Sequence, residues 1–284
     1  MNKTVADIMT PAPIVVEVPG SRNDAINIMV RNGLTGLPVV RASDGKLVGV
    51  VSRRDIFRKF EEDQLSMIMK KNCITLDITD SVSKAAEIFS TKRIHRLPVV
   101  ENGKLVGIVT PTDLLRIIKD MKTTMVADEV INTTCVTAYE DEPMSYTVPA
   151  MRISDVPALP VLNDHGELVG ILTDRDLFRD QMDNPEVLSI LGLDNIEDAA
   201  GYVNVLPLFY SVIDKYRPDD SRKVKDFMVR NPTSVFKKTN LAEVAKIMVN
   251  NDFGQLPVHG TKDELVGIIY DVDVVSVLAG KSNE

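Results

Sequence analysis

The 284-residue sequence contains no tryptophan, only two cysteines and only three histidines. No spacing among those cysteines and histidines suggests a metal site, so we expect no structural zinc or iron–sulfur centre. Aromatic residues make up 5% of the chain, which leaves no evident stacking platform for single-stranded nucleic acid. No apolar run approaches the 18 residues that a membrane-spanning helix needs.

Positive charge is also in short supply, because the formal net charge is −8. General affinity for DNA, RNA or anionic membranes relies on clustered Lys and Arg, so this balance argues against all three. Hydrophobic residues make up 44% of the sequence, which is enough for a packed core. The first residues lack the apolar core of a signal peptide, and we therefore expect a cytoplasmic protein.

What the sequence does contain is a ten-residue stretch that occurs in four similar copies. Leu-Val-Gly, two aliphatic residues, a four-residue segment ending in Asp and one more aliphatic residue occur at 47–56, 105–114, 168–177 and 265–274. Upstream of each copy lies Leu-Pro-Val, with its proline at Pro38, Pro98, Pro160 and Pro257. The last two prolines are much further apart than the others. Four repeats therefore make up most of the chain, and an insertion precedes the fourth.

Each repeat has the same predicted secondary structure. The apolar part of this stretch predicts a buried strand, and the segment ending in Asp predicts the start of a helix. An earlier helix carries apolar residues three positions apart, which we assign to the core. The residue pairs are Ile26 and Met29, Ala86 and Phe89, Val148 and Met151, and Ala245 and Met248. The pattern predicts β-α-β-β-α in every repeat.

Two local departures carry expectations of their own. Hairpins through Asp-Gly or Asn-Gly supply the positive φ that a tight turn needs, whereas the fourth hairpin, at 261–264, lacks glycine. We expect a looser turn there. Pro149 falls within the first helix of repeat 3, which predicts that this helix is kinked or begins late.

The Ser/Thr-x-x-Asp sequence at each strand–helix junction has two interpretations. It resembles a helix cap, in which the hydroxyl and the carboxylate bind first-turn N–H groups. The same groups could also bind a ribose and its phosphate. Three repeats have both residues, whereas repeat 4 has Tyr270 before Asp273, and a phenol would fill space that a phosphate needs.

These features resemble the CBS motif, a small regulatory repeat named after cystathionine β-synthase. Four-repeat chains are similar to archaeal stand-alone CBS proteins and to the γ subunit of AMP-activated protein kinase. The resemblance implies an α/β (α+β) fold of four repeats paired into two Bateman modules. The predicted modules are 1–121, with repeats at about 5–60 and 65–120, and 122–284, with repeats at about 126–183 and 224–280. The second includes a partly helical insert at 184–223.

The resemblance also implies site residues. In that family the Ser/Thr position contacts adenine-nucleotide phosphate and the Asp position contacts ribose. Carried over, the candidate ligand-binding residues are Ser52, Asp55, Thr110, Asp113, Thr173, Asp176 and Asp273.

His95 and Arg96 form a further candidate site, because they stand directly before Leu97-Pro98 and no other repeat has cations there. They match the position at which the kinase γ subunit binds phosphate, and Arg suits the several acceptors of a phosphate. The alternative is a solvated, charged strand end.

We therefore predict a non-catalytic, energy-sensing regulator that binds AMP, with ADP and ATP competing, and transmits its state to an unidentified partner protein. Alternatives are S-adenosylmethionine or another adenosyl ligand, and a nucleic-acid-binding or structural scaffold. Catalysis is not expected, since the repeats leave no room for an enzyme domain, and no catalytic cofactor is predicted. Leu208, Phe209 and Tyr210 of the insert are expected to be buried, on the second module or in a homodimer contact.

Overall fold

The computed structural model describes residues 3–59, 62–132, 134–173, 175–176 and 221–280. Four small sheets, each flanked by helices, confirm the predicted mixed α/β fold of four repeats. None of the helices in these residues is long and apolar enough to cross a membrane. The insert residues Leu208, Phe209 and Tyr210, with their predicted burial, lie outside the described part.

The first two repeats contain these elements: β1 (Thr10–Pro11), β2 (Val16–Val18), α1 (Arg22–Arg31), β3 (Gly36–Arg41), β4 (Leu47–Ser52) and α2 (Arg53–Arg58), then α3 (Leu65–Ile68), β5 (Lys70–Lys71), β6 (Leu76–Asp77), α4 (Val82–Lys92), β7 (Leu97–Glu101), β8 (Lys104–Val109) and α5 (Pro111–Ile118). Helices α1 and α4 begin after serines, Ser21 and Ser81, whose hydroxyls accept hydrogen bonds from first-turn N–H groups. These caps satisfy donors that would otherwise lack partners.

The last two repeats contain β9 (Ala138–Tyr139), α6 (Met144–Ser154), β10 (Ala158–Leu162) and β11 (Leu168–Thr173), then β12 (Val229–Arg230), β13 (Val235–Phe236), α7 (Leu241–Asn251), β14 (Gln255–His259), β15 (Leu265–Tyr270) and α8 (Asp271–Val274). Short 3-10 helices occur at Val5–Asp7, Ala127–Glu129, Val224–Asp226 and Val275–Leu278.

Consecutive repeats exchange their first segments. The sheet of repeat 2 has the strand order β1-β8-β7-β6, so its edge strand comes from the start of repeat 1. Conversely, β5 from the start of repeat 2 is the edge strand of β2-β3-β4-β5. The sheet of repeat 3, β12-β11-β10-β9, takes β12 from the start of repeat 4. In each sheet the hairpin strands pair antiparallel, and the strand preceding the first helix pairs parallel.

The glycine of the repeated stretch makes this exchange sterically possible. A Cβ added at Gly107 would clash with Met9, and one added at Gly170 would clash with Met228. In repeat 4 the same position, Gly267, lies against Ile131 from the start of repeat 3. Glycine is required here because the exchanged segment packs directly on the strand backbone.

The chain divides into two compact units that do not follow its order. The 2/4 unit contains Met1–Pro13, Ile74–Cys135 and Thr233–Glu284, hence repeats 2 and 4. The 1/3 unit contains Ile14–Cys73 and Val136–Pro232, hence repeats 1 and 3. Each unit has its own hydrophobic core. The predicted modules 1–121 and 122–284 would each combine one repeat from each unit, and they stay a prediction.

The predicted core positions are confirmed. All of them are at most 2% exposed: Ile26, Met29, Ala86, Phe89, Val148, Met151, Ala245 and Met248. In the 2/4 unit, α5 packs on α7, and α4 packs on the 3-10 helix Val275–Leu278. Helix packing of this kind buries faces that a single repeat would leave exposed.

One local expectation is wrong, and one of the two alternatives for Pro149 is excluded. The fourth hairpin is not looser, since Asp263 adopts φ +58° where repeat 3 has Gly166, and β14–β15 has the same bulged register as β10–β11. Asp tolerates the left-handed region better than most residues. Helix α6 does not begin late, because Met144 corresponds to the first residues of α4 and α7. Pro149 lies inside it, and the expected kink stays a prediction.

Candidate functional site

The four repeated aspartates are buried at helix starts, and each caps its own helix. Asp55 accepts hydrogen bonds from Ser52 N–H (2.9 Å) and its hydroxyl (2.5 Å). Asp113 accepts from Thr110 N–H and hydroxyl, both at 2.8 Å. Both bonds reach one carboxylate oxygen, Oδ2. The capping interpretation of the Ser/Thr-x-x-Asp sequence is therefore correct as far as Oδ2 is concerned.

Repeats 3 and 4 show what varies in this arrangement. Asp176 accepts from Thr173 N–H (2.9 Å) and hydroxyl (2.6 Å). Asp273 accepts from Tyr270 N–H at 2.9 Å. The N–H contribution is common to all four repeats, whereas the hydroxyl contribution is recorded in the three that carry Ser or Thr.

The second oxygen, Oδ1, meets a cation in three of the repeats. Lys70 Nζ lies 3.4 Å from Oδ1 of Asp55, and Arg116 Nη1 lies 3.3 Å from Oδ1 of Asp113. Arg93 Nη1 lies 2.7 Å from Oδ1 of Asp273. The first two cations are more than 60% exposed. Capping consumes Oδ2, and Oδ1 remains the oxygen that a ligand hydroxyl could reach.

A cavity of about 550 Å³ lies beside Asp113 in the 2/4 unit. It is lined by Lys3, Asp7, Ile8, Asp113, Arg116, Ile117, Asp120 and Met121. The exchanged first segment of repeat 1 thus forms one wall, and α5 with the residues after it forms the other. The cavity combines a carboxylate for hydroxyl groups with two cations, Lys3 and Arg116, for an anion.

Asp7 in the same cavity is held in its ionised form. Hydrogen bonds from the Thr4 N–H (2.7 Å) and the Thr4 hydroxyl (3.0 Å) lower the pKa of its carboxyl. A carboxylate that accepts such bonds is stabilised in its charged state. Asp7 therefore contributes negative charge that any phosphate in this cavity must avoid.

His95 and Arg96 lie at the start of β7, in the 2/4 unit. His95 is exposed, and its Nε2 lies 3.4 Å from Oδ1 of Asp271. Arg96 is half-buried. The structure thus brings His95 to Asp271, the first residue of α8 in repeat 4. The cavity beside Asp113 is lined by other cations, Lys3 and Arg116.

Sequence reasoning missed four cations at these sites, Lys3, Lys70, Arg93 and Arg116. Arg116 follows Asp113 by one helical turn, a spacing that could have been noticed. Lys3 reaches the cavity only because the first segments are exchanged, and Arg93 reaches Asp273 only because repeats 2 and 4 share a unit. No local pattern in the sequence indicates either contact.

Metal binding and thiol chemistry find no support in the described residues. No group of three or more His, Cys, Asp and Glu side chains there could hold a metal ion. Burial raises the pKa of the half-buried Cys73 and Cys135 thiols, which disfavours the reactive thiolate.

Comparison with known proteins supports the repeat assignment. The CBS domain family model matches residues 5–62, 65–120, 126–183 and 224–280. Protein MJ1225 of Methanocaldococcus jannaschii is 27% identical over 277 residues, which are 90% of this chain and 91% of that protein. Its crystal structure aligns with 98% of this chain and 100% of its own at a TM-score of 0.73 and 24% identity, and it has been proposed to be an archaeal homologue of γ-AMPK.

Two further relatives show the range of contexts. An uncharacterised conserved protein from Pyrococcus horikoshii aligns with 97% of this chain and 100% of its own, at a TM-score of 0.69 and 25% identity. The L-aspartate semialdehyde sulfurtransferase of Methanocaldococcus jannaschii is 35% identical over 113 residues, 39% of this chain but 22% of that enzyme. Only a minor part of that enzyme therefore resembles this chain.

Proposed function

The chain belongs to the CBS domain family, and on that premise we propose that it is a non-catalytic sensor that binds an adenine nucleotide. AMP is the proposed ligand, with ADP and ATP competing. CBS-domain proteins are generally regulatory. The ligand would act by favouring one conformation of the chain over another, which a partner protein then detects.

The observation that carries this proposal is that the two carboxylate oxygens of a repeat aspartate have different partners. In repeats 1 and 2 the carboxylate gives Oδ2 to the cap, while Oδ1 lies more than 3.2 Å from an exposed cation, Lys70 or Arg116. A ribose diol donates hydrogen bonds that such an oxygen accepts. The cavity beside Asp113, with Lys3 and Arg116 on its wall, offers room for the rest of a nucleotide.

The experiment compares the AMP-dependent rise in melting temperature among Ala variants of the four repeat aspartates, which serve as controls for one another. AMP at 100 times its dissociation constant stabilises by about 2.7 kcal/mol, which raises the melting temperature by roughly 5–11 °C in a domain of 150–250 residues. Asp55→Ala and Asp113→Ala should remove much of that increment, and Asp273→Ala almost none. If all four variants, including Asp176→Ala, lower the ligand-free melting point and keep the increment, the carboxylates act as helix caps and the proposal fails.

Phosphate recognition is proposed for His95 and Arg96, which stand together in only one repeat. Arg96→Ala should weaken AMP by roughly 1.5–3 kcal/mol, the range for hydrogen bonds to charged groups, and should leave adenosine nearly unaffected. Lys92→Ala, an exposed cation just upstream, is the matched control for net charge. Equal losses for AMP and adenosine in titration calorimetry would contradict this role.

S-adenosylmethionine is the alternative ligand, since it would use the ribose-binding aspartates without the phosphate-binding cations. Mass analysis of any small molecule released when the purified protein is denatured distinguishes the two. If a retained adenosyl compound binds Arg96→Ala as tightly as it binds the unsubstituted protein, that alternative is favoured.

A further inference from the structure

We propose that Arg93 of repeat 2 occupies the ligand position of repeat 4, so that its guanidinium takes the place of a ribose at Asp273. The inference rests on the proposed function, because it takes the repeat aspartate as the ribose partner. It assigns Arg93 as a specificity-determining residue that reserves nucleotide binding for the other repeats.

Both oxygens of Asp273 are already engaged. Oδ2 accepts the Tyr270 N–H at 2.9 Å, and Oδ1 lies 2.7 Å from Nη1 of Arg93. The Arg93 guanidinium carbon also lies 5.3 Å from the centroid of the Tyr270 ring, within cation–π range. Tyr270 thus stands where the other repeats have a small hydroxyl residue, and it supports the arginine.

The other repeats differ in how tightly Oδ1 is held. Lys70 and Arg116 lie 3.4 and 3.3 Å from their aspartates with 61% and 62% of their side chains exposed. Arg93 is 38% exposed and the Asp273 side chain only 2%. A charge-assisted bond of 2.7 Å to a buried carboxylate is the strongest of the three. A ligand hydroxyl must therefore displace a stronger ion pair at repeat 4 than at repeats 1 and 2.

The backbone at Arg93 indicates that its side chain has a specific role. Arg93 ends α4 in the left-handed region, with φ +48°. The equivalent residues of the other repeats are Gly33, Asp155 and Asp252, also at positive φ. Glycine adopts this conformation without strain and Asp tolerates it, whereas an arginine there is uncommon. The contacts of its side chain offset that conformational strain.

The test removes the Arg93 side chain from Asp273 and measures how many AMP molecules each chain binds. Titration calorimetry of the full chain with AMP would compare the unsubstituted protein, Arg93→Gly, and the double variant Arg93→Gly/Tyr270→Thr. The double variant gives repeat 2 the glycine that repeat 1 has at the equivalent position, Gly33, and gives repeat 4 the threonine of repeats 2 and 3. We expect one additional AMP per chain, or at least an approximately tenfold lower dissociation constant at repeat 4, in line with the strength of hydrogen bonds to charged groups.

Two controls make the gain specific. Adding Asp273→Ala to the double variant should abolish it, because the carboxylate that accepts the ribose hydroxyls is then lost. Asp155→Gly changes the equivalent residue in the 1/3 unit and should add no binding. Arg93→Gln, which keeps an unbranched polar side chain but shortens it and removes its charge, replaces Arg93→Gly if that variant does not fold.

Every outcome distinguishes this inference from the proposed function. If the unsubstituted protein binds AMP and the opened variants gain nothing, the inference is overturned and the proposed function stands. If only the opened variants bind AMP, Arg93 closes repeat 4 as inferred, and the proposal for the other repeats fails. If no form binds AMP, both fail.

Discussion

In both the 2/4 and the 1/3 unit, the residue that follows the first helix of one repeat forms an ion pair with the last helix of the other repeat, and its charge is opposite in the two units. In the 2/4 unit, Arg93 after α4 pairs with Asp273 at a helix start, at 2.7 Å. In the 1/3 unit, the equivalent residue is Asp155, which pairs with Arg58 at 2.7 Å and Arg54 at 3.4 Å on α2. The first pair includes a buried carboxylate, whereas the second is exposed on both sides.

The inversion occurs a second time, where the first segments of repeats 3 and 4 are exchanged. In the 1/3 unit, Lys225 lies 2.7 Å from Asp141. In the 2/4 unit, the equivalent positions hold Asp128 and Lys238, 3.2 Å apart. The repeated fold fixes the positions, and the sequence decides which side carries which charge.

Opposite charges at equivalent positions discriminate between ways of assembling similar repeats. Had the segment of repeat 3 docked on its own repeat, Asp128 would face Asp141. Likewise, pairing repeat 3 with repeat 4 through these helices would bring Asp155 to Asp273. Like charges disfavour both arrangements. The inverted pairs therefore favour the exchanged segments and the non-sequential grouping of repeats in the two units.

The largest expected effect comes from placing at position 93 of the 2/4 unit the negative charge that Asp155 has at the equivalent position of the 1/3 unit. Arg93→Asp places a carboxylate against buried Asp273 and should reduce the free energy of unfolding by about 3–5 kcal/mol, as breaking a buried pair does. The backbone is no obstacle, because Asp155 and Asp252 adopt the same left-handed conformation. Urea denaturation monitored by circular dichroism measures the loss.

The matched reversal in the 1/3 unit is Arg58→Asp. Its pair with Asp155 is exposed, so the expected loss is about 0–1 kcal/mol. Losses of similar size in the two units would show that burial of Asp273 does not distinguish them.

A smaller effect tests the second inversion. Asp128→Lys brings two lysines together in the 2/4 unit and should lower stability by about 0.5–1 kcal/mol, the range for exposed pairs. The double variant Asp128→Lys/Lys238→Asp restores an attractive pair and should recover most of that loss. A double-mutant cycle by urea denaturation gives the coupling energy. No recovery in the double variant would contradict a specific contact between these two residues.

Periodicity made much of each repeat predictable, because burial and backbone geometry are local. The spacing of Ile26 and Met29 identified a core face, and Thr110 with Asp113 identified a helix start that the structure confirms. The fourth hairpin was mispredicted because the absence of glycine hid the ability of Asp263 to take a positive φ.

What could not be predicted lies between repeats. Four similar repeats fit one another in several ways, and the local pattern of hydrophobic residues is nearly the same in each. The neighbours of Asp113 and Asp273, namely Lys3 and Arg93, come from distant parts of the chain. Their assignment requires knowing which repeats share a unit, and the charge inversion becomes visible only after equivalent positions are compared in space.

The smallest expected effect is the pH dependence that Asp141 contributes in the 1/3 unit. Hydrogen bonds from Lys223 and Lys225 lower the pKa of Asp141 to about 2 from 3.8. A carboxyl whose pKa is lower in the folded state stabilises the fold above its unfolded pKa, and this contribution is lost as the pH falls through the folded value. The melting temperature of the unsubstituted protein should therefore exceed that of Asp141→Asn at pH 7, and the difference should shrink between about pH 4 and pH 2. A difference for Asp141→Asn that stays constant over this range would mean that the two lysines do not hold the carboxylate in solution.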